Sequence, residues 1–283
     1  MIYRMLISCQ DAQGLVHKVT GVLYESGLNV TQNQEFVDHS SKRFFMRTEF
    51  DGVSKDKDLP SSLRDKIIKC LPKNSFCSIT RKTAPKLVVF ASKELHCLGD
   101  ILLKHHTQEL QAEILAVISQ HSDAADLVKR LDLPFHCVEV TGNKPQHRAE
   151  HEQKILKILS KYKPDYLVLA RYMRILSQDF IKTYPERILN IHHSFLPAFI
   201  GKNPYEQAYQ RGVKIIGATA HFVTEKLDEG PIIYQDVISV DHSCTINEMA
   251  KLGQDVEKIV LSRALNLVID NKVLVDGNRT VVF

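Results

Sequence analysis

The chain has 283 residues, 44% hydrophobic and 25% charged, which is enough apolar material for a sizeable core and excludes a disordered polymer. Lysine and arginine exceed aspartate and glutamate by only four (37 against 33), a scattered surplus that argues against a nucleic-acid binder but suits an anionic small substrate. Apolar runs fall short of the ~18 residues of a membrane span, the first residues are too short in their apolar part for a secretory leader, and the six cysteines form no Cys-x-x-Cys pair, so a cytoplasmic protein without disulfides or structural zinc is expected.

In chain order, residues 3–9 alternate weakly as a strand, and residues 15–26 place Val16, Val19, Leu23 and Tyr24 at helical spacing. Asp11 is expected to cap that helix and Gly27 to stop it. Residues 30–38 and 43–50 read as strands around the polar turn His39-Ser40-Ser41-Lys42. A helix over Leu63–Leu71 and a strand over Ser75–Thr80 complete a β-α-β-β-α-β order, the ferredoxin-like arrangement.

The segments Ile7-Ser-Cys-Gln-Asp11-Ala-Gln-Gly14-Leu15-Val and Gly27-Leu-Asn29-Val resemble an ACT domain covering residues 1–82, with Gln10 in place of a frequent proline. That resemblance implies pairing through the sheet into a homo-oligomer. It also implies an amino-acid effector, glycine or methionine, held near Asp11, Gly14, Leu15 and Asn29. A domain of this kind that only holds subunits together fits the same residues.

The proline-punctuated stretch Arg81-Lys-Thr-Ala-Pro85-Lys86 places a linker at 83–86, followed by a second domain over 87–283. There, strands Leu87–Ala91, Ile114–Ile118, Phe135–Val138, Tyr166–Ala170 and Ile188–Ile191 alternate with helices near 95–105, 124–131, 148–162 and 204–211. This predicts an open, mostly parallel α/β sheet of Rossmann-like type. Two longer strands over 215–223 and 231–240 precede a long helix to about Asp270, opened by the capping box Thr245-Ile-Asn-Glu248.

Several chemistries lack their residues. No two glycines stand two apart, so the dinucleotide fingerprint is missing, as are a Walker loop and a Gly-x-Ser-x-Gly elbow. His147-Arg-Ala-Glu150-His151 matches the His-x-x-Glu-His zinc pattern, which would make the chain a metallo-deformylase. Polar residues on a solvated first turn explain it as well, and no third ligand is evident downstream, so no metal is expected.

A different set of residues has the makings of formamide chemistry. Asn190 and His192 lie two apart at the end of a buried strand and project to one side. His221 interrupts the apolar pattern of Gly217–Thr224, and Asp228 sits in the turn Leu227-Asp228-Glu-Gly-Pro231. An amide and an imidazolium can donate to a developing oxyanion, and a carboxylate can deprotonate water and return a proton to the leaving amine. Taken singly, each of these residues is also an ordinary strand-end, core or turn residue.

Together they resemble the folate-dependent formyltransferase family. Asn190, His192, Ser194, Leu196 and Pro197 meet its Asn-x-His-x-Ser-x-Leu-Pro pattern, and His221, Val223, Asp228 and Gly230 meet its His-x-Val-x-x-x-x-Asp-x-Gly pattern. The resemblance implies that Asn190, His192 and Asp228 are catalytic and that His221 supports them. It implies a pterin pocket formed by Ala170–Leu176, including Arg171, Tyr172, Met173 and Leu176, and by Glu225–Asp228, with Ile200 as a wall. Arg171 stands where the family has glycine.

The acceptor separates the subfamilies. Ribotide transferases resemble this domain but carry a small-residue phosphate loop after the first strand, whereas here Ser92-Lys-Glu94-Leu95-His96 is bulky and acidic. A tRNA formylase would carry a further C-terminal domain. The run His192-His193-Ser-Phe-Leu-Pro and the ACT domain placed ahead resemble the 10-formyltetrahydrofolate deformylase subfamily. That implies hydrolysis of 10-formyltetrahydrofolate to formate and tetrahydrofolate, with folate as substrate and no bound cofactor. Formyl transfer to a ribotide, and a non-catalytic folate or amino-acid sensor, are the alternatives.

Overall fold

In the computed structural model, which describes residues 1–52, 58–140, 142, 145–198 and 204–283, strand β1 (Ile2–Gln10) turns Tyr3, Met5, Ile7 and Cys9 into a core. Arg4 and Ser8 on its other face are also buried, which is why the alternation in the sequence is weak. Helix α1 (Leu15–Glu25), strands β2 (Asn29–Asp38) and β3 (Arg43–Asp51), helix α2 (Leu59–Cys70) and strand β4 (Phe76–Arg81) follow. The four strands form an antiparallel sheet in the order β2-β3-β1-β4. Leu15, Val19 and Leu23 of α1 and Leu59, Leu63 and Ile67 of α2 close the core.

The cap of α1 differs from expectation. Gly14, at φ +80°, takes the N-cap position with no side-chain hydrogen bond, while Asp11 donates its backbone N–H to the Lys42 carbonyl at 2.9 Å. Gly27, at φ +70°, does stop the helix: it donates to Tyr24 O and Leu28 donates to Leu23 O, the paired bonds of a left-handed helix end.

The first compact unit is Met1–Thr83 together with Asp270–Asp276 and Val281–Phe283, so the expected assignment of 87–283 to one domain is corrected at its C-terminal end. The reason is charge. Arg47, 1% exposed, donates to the Asp270 and Asn271 carbonyls at 3.0 and 3.1 Å, and Arg4 pairs with Asp270 at 2.9 Å. These buried guanidinium groups need acceptors, and the last residues supply them. Strands β12 (Val273–Asp276) and β13 (Arg279–Val282), not anticipated, pair as a hairpin; they are labelled after the elements of the second unit.

The second unit, Ala84–Ile269 with Gly277–Thr280, holds β5 (Lys86–Ala91), α3 (His96–His106), β6 (Glu113–Ser119), α4 (Ala125–Arg130), β7 (Phe135–Cys137), α5 (Pro145–Tyr162), β8 (Tyr166–Ala170), α6 (Gln178–Thr183), β9 (Ile188–His192), α7 (Pro204–Arg211), β10 (Ile215–Phe222), β11 (Ile232–Ser239) and α8 (Ile246–Ile269). Lys86 thus belongs to a strand and not to the linker, and α6, a six-residue helix opened by Ser177, was not anticipated.

The seven-stranded sheet runs β11-β10-β9-β8-β5-β6-β7, parallel from β9 to β7 and antiparallel at β10 and β11. Val88, Phe90, Ile118, Leu167 and Leu169 pack against Ile155 and Leu159 of α5 and Phe180 of α6. Leu87, Val89, Val117, Val168 and Leu189, on the opposite face, are equally inaccessible. Burial on both faces accounts for the continuous apolar runs. The chain winds outward from β5 through β6 and β7, then returns to β8 on the other side of β5, which puts a crevice beyond the carboxyl ends of β5 and β8. Among the described residues, no helix is long and apolar enough to cross a membrane.

Candidate active site

Asn190 and His192 project together from β9, and the register of the antiparallel pair sets His221 of β10 opposite Asn190 and Thr219 opposite His192. His221 Nδ1 lies 2.9 Å from the Phe222 carbonyl, which can only accept, so the proton resides on Nδ1. Its Nε2 is then an acceptor, and Asn190 Nδ2 donates to it at 3.2 Å. Burial holds His221 below the ordinary histidine value against the opposing pull of the Phe222 bond and Asp228, and the ring is neutral. One N–H of the Asn190 amide is spent on this bond, and the other has no partner among the described residues.

Asp228 adopts φ +56° in the turn after β10. Its Oδ1 stands 3.4 Å from His192 Nδ1 and 3.8 Å from His221 Nε2. Burial works to raise this carboxyl, but the His192 hydrogen bond and the fields of the three nearby histidines prevail and hold it below the ordinary carboxylate value. His192 Nε2 is buried and has no partner among the described residues. An unpartnered polar atom at this depth costs free energy that a substrate oxygen can offset.

Close packing fixes the turn that carries Asp228. Phe222 donates to the Pro231 carbonyl at 2.9 Å, and Gly230 approaches so closely that a Cβ there would stand 1.8 Å from the Phe222 oxygen. The loop after β9 is held by Thr219, whose hydroxyl donates to Ser194 O at 2.8 Å and accepts from Leu196 N and Gln235 Nε2 at 3.0 and 2.8 Å. Sequence reading passed over Thr219 and Gln235, although an inward Thr two residues before His221 in an apolar strand is a signal of such a tie.

Asn190, His192, His221 and Asp228 border a cavity of about 360 Å³, and so do Arg171, Tyr172, Met173, Leu176 and Glu225. Tyr172 and Leu176 are buried, Tyr172 edge-on to Phe90 with centroids 5.2 Å apart. Met173, like Leu227, is more than half exposed and forms an apolar rim, while Glu225 pairs with Lys182 at 3.6 Å. Ile200 lies outside the described residues.

Arg171 sits at φ +61°, the left-handed conformation that glycine favours, so the backbone path survives the exchange. Its guanidinium turns to protein carboxylates: Nη2 lies 2.6 Å from Glu94 and Nε 3.3 Å from Glu257. Glu257, wholly buried in α8, also meets His96 Nε2 at 2.8 Å and accepts from Tyr205 Oη at 2.6 Å. Tyr205 reaches it by lying over Gly253, where a Cβ would stand 2.0 Å from the hydroxyl. Glu257 shares the buried stripe of α8 with Gly253, Val260 and Leu261, and a charge in that stripe was its sequence signal.

Among the described residues, the His-x-x-Glu-His pattern does not gather as a ligand set. His151 Nε2 is committed to the Val138 carbonyl at 2.9 Å, Glu150 is exposed, and the neighbouring Glu152 is engaged with Ser177 at the start of α6. Among the described residues, only His96, Cys97 and Glu257 gather three ligand-type atoms, within 4.8 Å. Burial pushes the Cys97 thiol far up and Arg171 already neutralises Glu257, so this set suits an internal ion pair.

In the first unit, Asp11 and Gly14 are exposed in the turn after β1, Asn29 is exposed at the head of β2, and Leu15 is spent in the core.

Residues 85–265 match the family described as Formyl transferase. A formyltetrahydrofolate deformylase of Escherichia coli K12 is 50% identical over 274 residues, covering 97% of this chain and 95% of that protein. The crystal structure of a formyltetrahydrofolate deformylase from Pseudomonas syringae superimposes with a TM-score of 0.94 at 40% identity, covering 100% of this chain and 94% of the other. A glycinamide ribonucleotide transformylase of Symbiobacterium toebii aligns less extensively, with a TM-score of 0.67 at 28% identity over 71% of this chain and 94% of its own. Since the full-length likeness is to the deformylases while the transformylase spans only part of the chain, the protein belongs to the formyltetrahydrofolate deformylase family.

Proposed function

We propose that the chain hydrolyses 10-formyltetrahydrofolate to formate and tetrahydrofolate. The observation that carries this reading is the convergence of Asn190, His192 and Asp228 on one cavity whose neighbouring crevice is already filled by Glu94, Arg171 and Glu257. The formyl oxygen faces the free N–H of Asn190 and Nε2 of His192, which in the protonated ring donates to the developing oxyanion. Asp228, ionised at neutral pH, takes a proton from water and returns it to N10 as the C–N bond breaks. His221 touches neither and holds the Asn190 amide in register. The exposed apolar rim of Met173 and Leu227 suits the pterin, with Arg171, Tyr172, Leu176 and Glu225 around it.

The crevice argues for water as the acceptor. Two carboxylates and one guanidinium occupy the start of α3, the place where a ribotide phosphate would seek backbone N–H groups. The β-α-β-β-α-β unit is read as an ACT domain, supported by its strand order and the Asp11–Leu15 turn. It regulates through glycine or methionine and assembles the chain into a homo-oligomer. Six unpaired cysteines support a reducing, cytoplasmic setting.

The test is to incubate the purified protein with 10-formyltetrahydrofolate alone and measure formate. Release without an added amine is expected. Formyl transfer only in the presence of an amine acceptor would overturn the reading.

A further inference from the structure

A hydrolytic water needs a second partner besides Asp228 to hold it in place. His193 directly follows His192, borders the same cavity, and packs its ring 5.2 Å from that of His192 and 6.0 Å from that of Tyr205. Its neighbours turn polar groups elsewhere: Tyr205 to Glu257, Arg171 to both glutamates and His192 Nδ1 to Asp228. Neither ring nitrogen of His193 makes a hydrogen bond among the described residues. We propose that His193 is a catalytic residue that binds and aims the hydrolytic water, with Asp228 as the second partner of that water.

The surroundings of His193 keep it suited to the task. Burial first, and the Arg171 guanidinium second, push its protonation down to about 4, so at neutral pH the ring has one lone pair and one N–H. A neutral imidazole can accept from water without competing for the charge of Asp228. Asp228 and His193 lie within each other's electrostatic reach. The tilted contact with His192 and the edge-on contact with Tyr205 hold the ring plane, and Tyr205 is itself anchored through Glu257 to Arg171 and His96. The buried ion cluster beside the site therefore positions the ring, while burial, helped by Arg171 and opposed by Glu257, keeps it neutral.

In the reaction, water donates one hydrogen bond to His193 and one to Asp228. Its oxygen forms the bond to the formyl carbon as Asp228 takes a proton. The C–N10 bond then breaks, its electron pair stays on N10, and N10 receives the proton from Asp228. Formic acid leaves and releases its remaining proton to solvent, so formate, tetrahydrofolate and one proton balance 10-formyltetrahydrofolate and water.

The proposal rests on the hydrolytic reading, and the experiment separates the two. His193→Phe keeps an aromatic ring between His192 and Tyr205 and removes the nitrogens; His193→Asn restores a polar amide at the same depth. Formate release is measured for both and for the unmodified protein, with and without hydroxylamine, which captures the formyl group as formohydroxamate. His193→Phe is expected to lower kcat by about 10²-fold with KM within about threefold, the range for losing one positioned proton-handling group. It is also expected to raise the share of formyl captured by hydroxylamine, while His193→Asn recovers at least about tenfold of kcat. A His193→Phe kcat within about threefold of normal would overturn the assignment. So would an Asn variant no better than Phe with an unchanged capture share. Absence of formate from the unmodified protein would instead overturn the hydrolytic reading itself.

Discussion

Gly230→Ala tests whether the close approach of the Asp228 turn to β10 sets the position of the carboxylate. An added Cβ would meet the Phe222 carbonyl oxygen at 1.8 Å, and Phe222 N–H is tied to Pro231 O at 2.9 Å, so β10 cannot yield without losing the ladder at its end. Opening the contact to 3.0 Å, below which real Cβ atoms are not found, moves the turn by about 1.2 Å. Gly230 is two residues from Asp228, which now lies 3.4 Å from His192. A misplacement of about 1 Å in a reacting group costs on the order of 10²-fold, and overpacking adds about 1–3 kcal/mol of destabilisation. Formate release at saturating 10-formyltetrahydrofolate should therefore fall about 10²-fold while far-ultraviolet circular dichroism is retained. Gly99→Ala in α3, where a Cβ meets nothing within 4 Å, is the matched control and should leave turnover unchanged. A Gly230→Ala protein with turnover within about threefold of normal would refute the view that this contact positions the carboxylate.

Asn190→Ala and His192→Ala should each lower turnover by about 10²–10³-fold, the loss of one oxyanion donor, with Asp228→Asn at least as severe in the same formate assay. His192→Ala should also raise the titration of Asp228, because burial, which pushes upward, persists while the opposing hydrogen bond is gone. Carbon-13 NMR of the carboxyl in both proteins checks the sign, and a downward shift would contradict it. In the unmodified protein, the lowered value means that the stability contributed by Asp228 is present above the ordinary carboxylate range and is lost as pH falls through the depressed value. Glu257→Ala should cost about 3 kcal/mol in denaturant unfolding, the low end for breaking a buried pair, since Arg171 keeps Glu94 at 2.6 Å.

What could be read from the sequence was local and periodic. Asn190 and His192 share a face because a strand has a period of two, and Asp228 sits in a turn because the Gly-Pro after it permits little else. The capping box of α8 appears as written, with Thr245 N and Oγ1 both donating to Glu248 at 2.8 Å. What escaped depended on partners distant in the chain. Glu257 lies 86 residues from Arg171 in sequence, and nothing local to either announces the other. Arg171 was expected at the pterin, and it does border the cavity, but its charge follows the two glutamates. Asp270–Asp276 joined the first unit because Arg4 and Arg47, near the other end of the chain, needed acceptors.

Helix α8 is more than a cover for the sheet. Tyr205 is seated over Gly253, and Glu257 reaches Arg171 and His96 at the ends of β8 and the start of α3. Peeling the helix away would take Glu257 from Arg171, His96 and Tyr205 at once and leave the guanidinium with Glu94 alone, so its opening and the loosening of the cavity floor form a single cooperative event. Backbone amides of α8 around Glu257 and those of β9 should then exchange with deuterium at a common rate, and turnover should disappear at the same denaturant concentration as that helix.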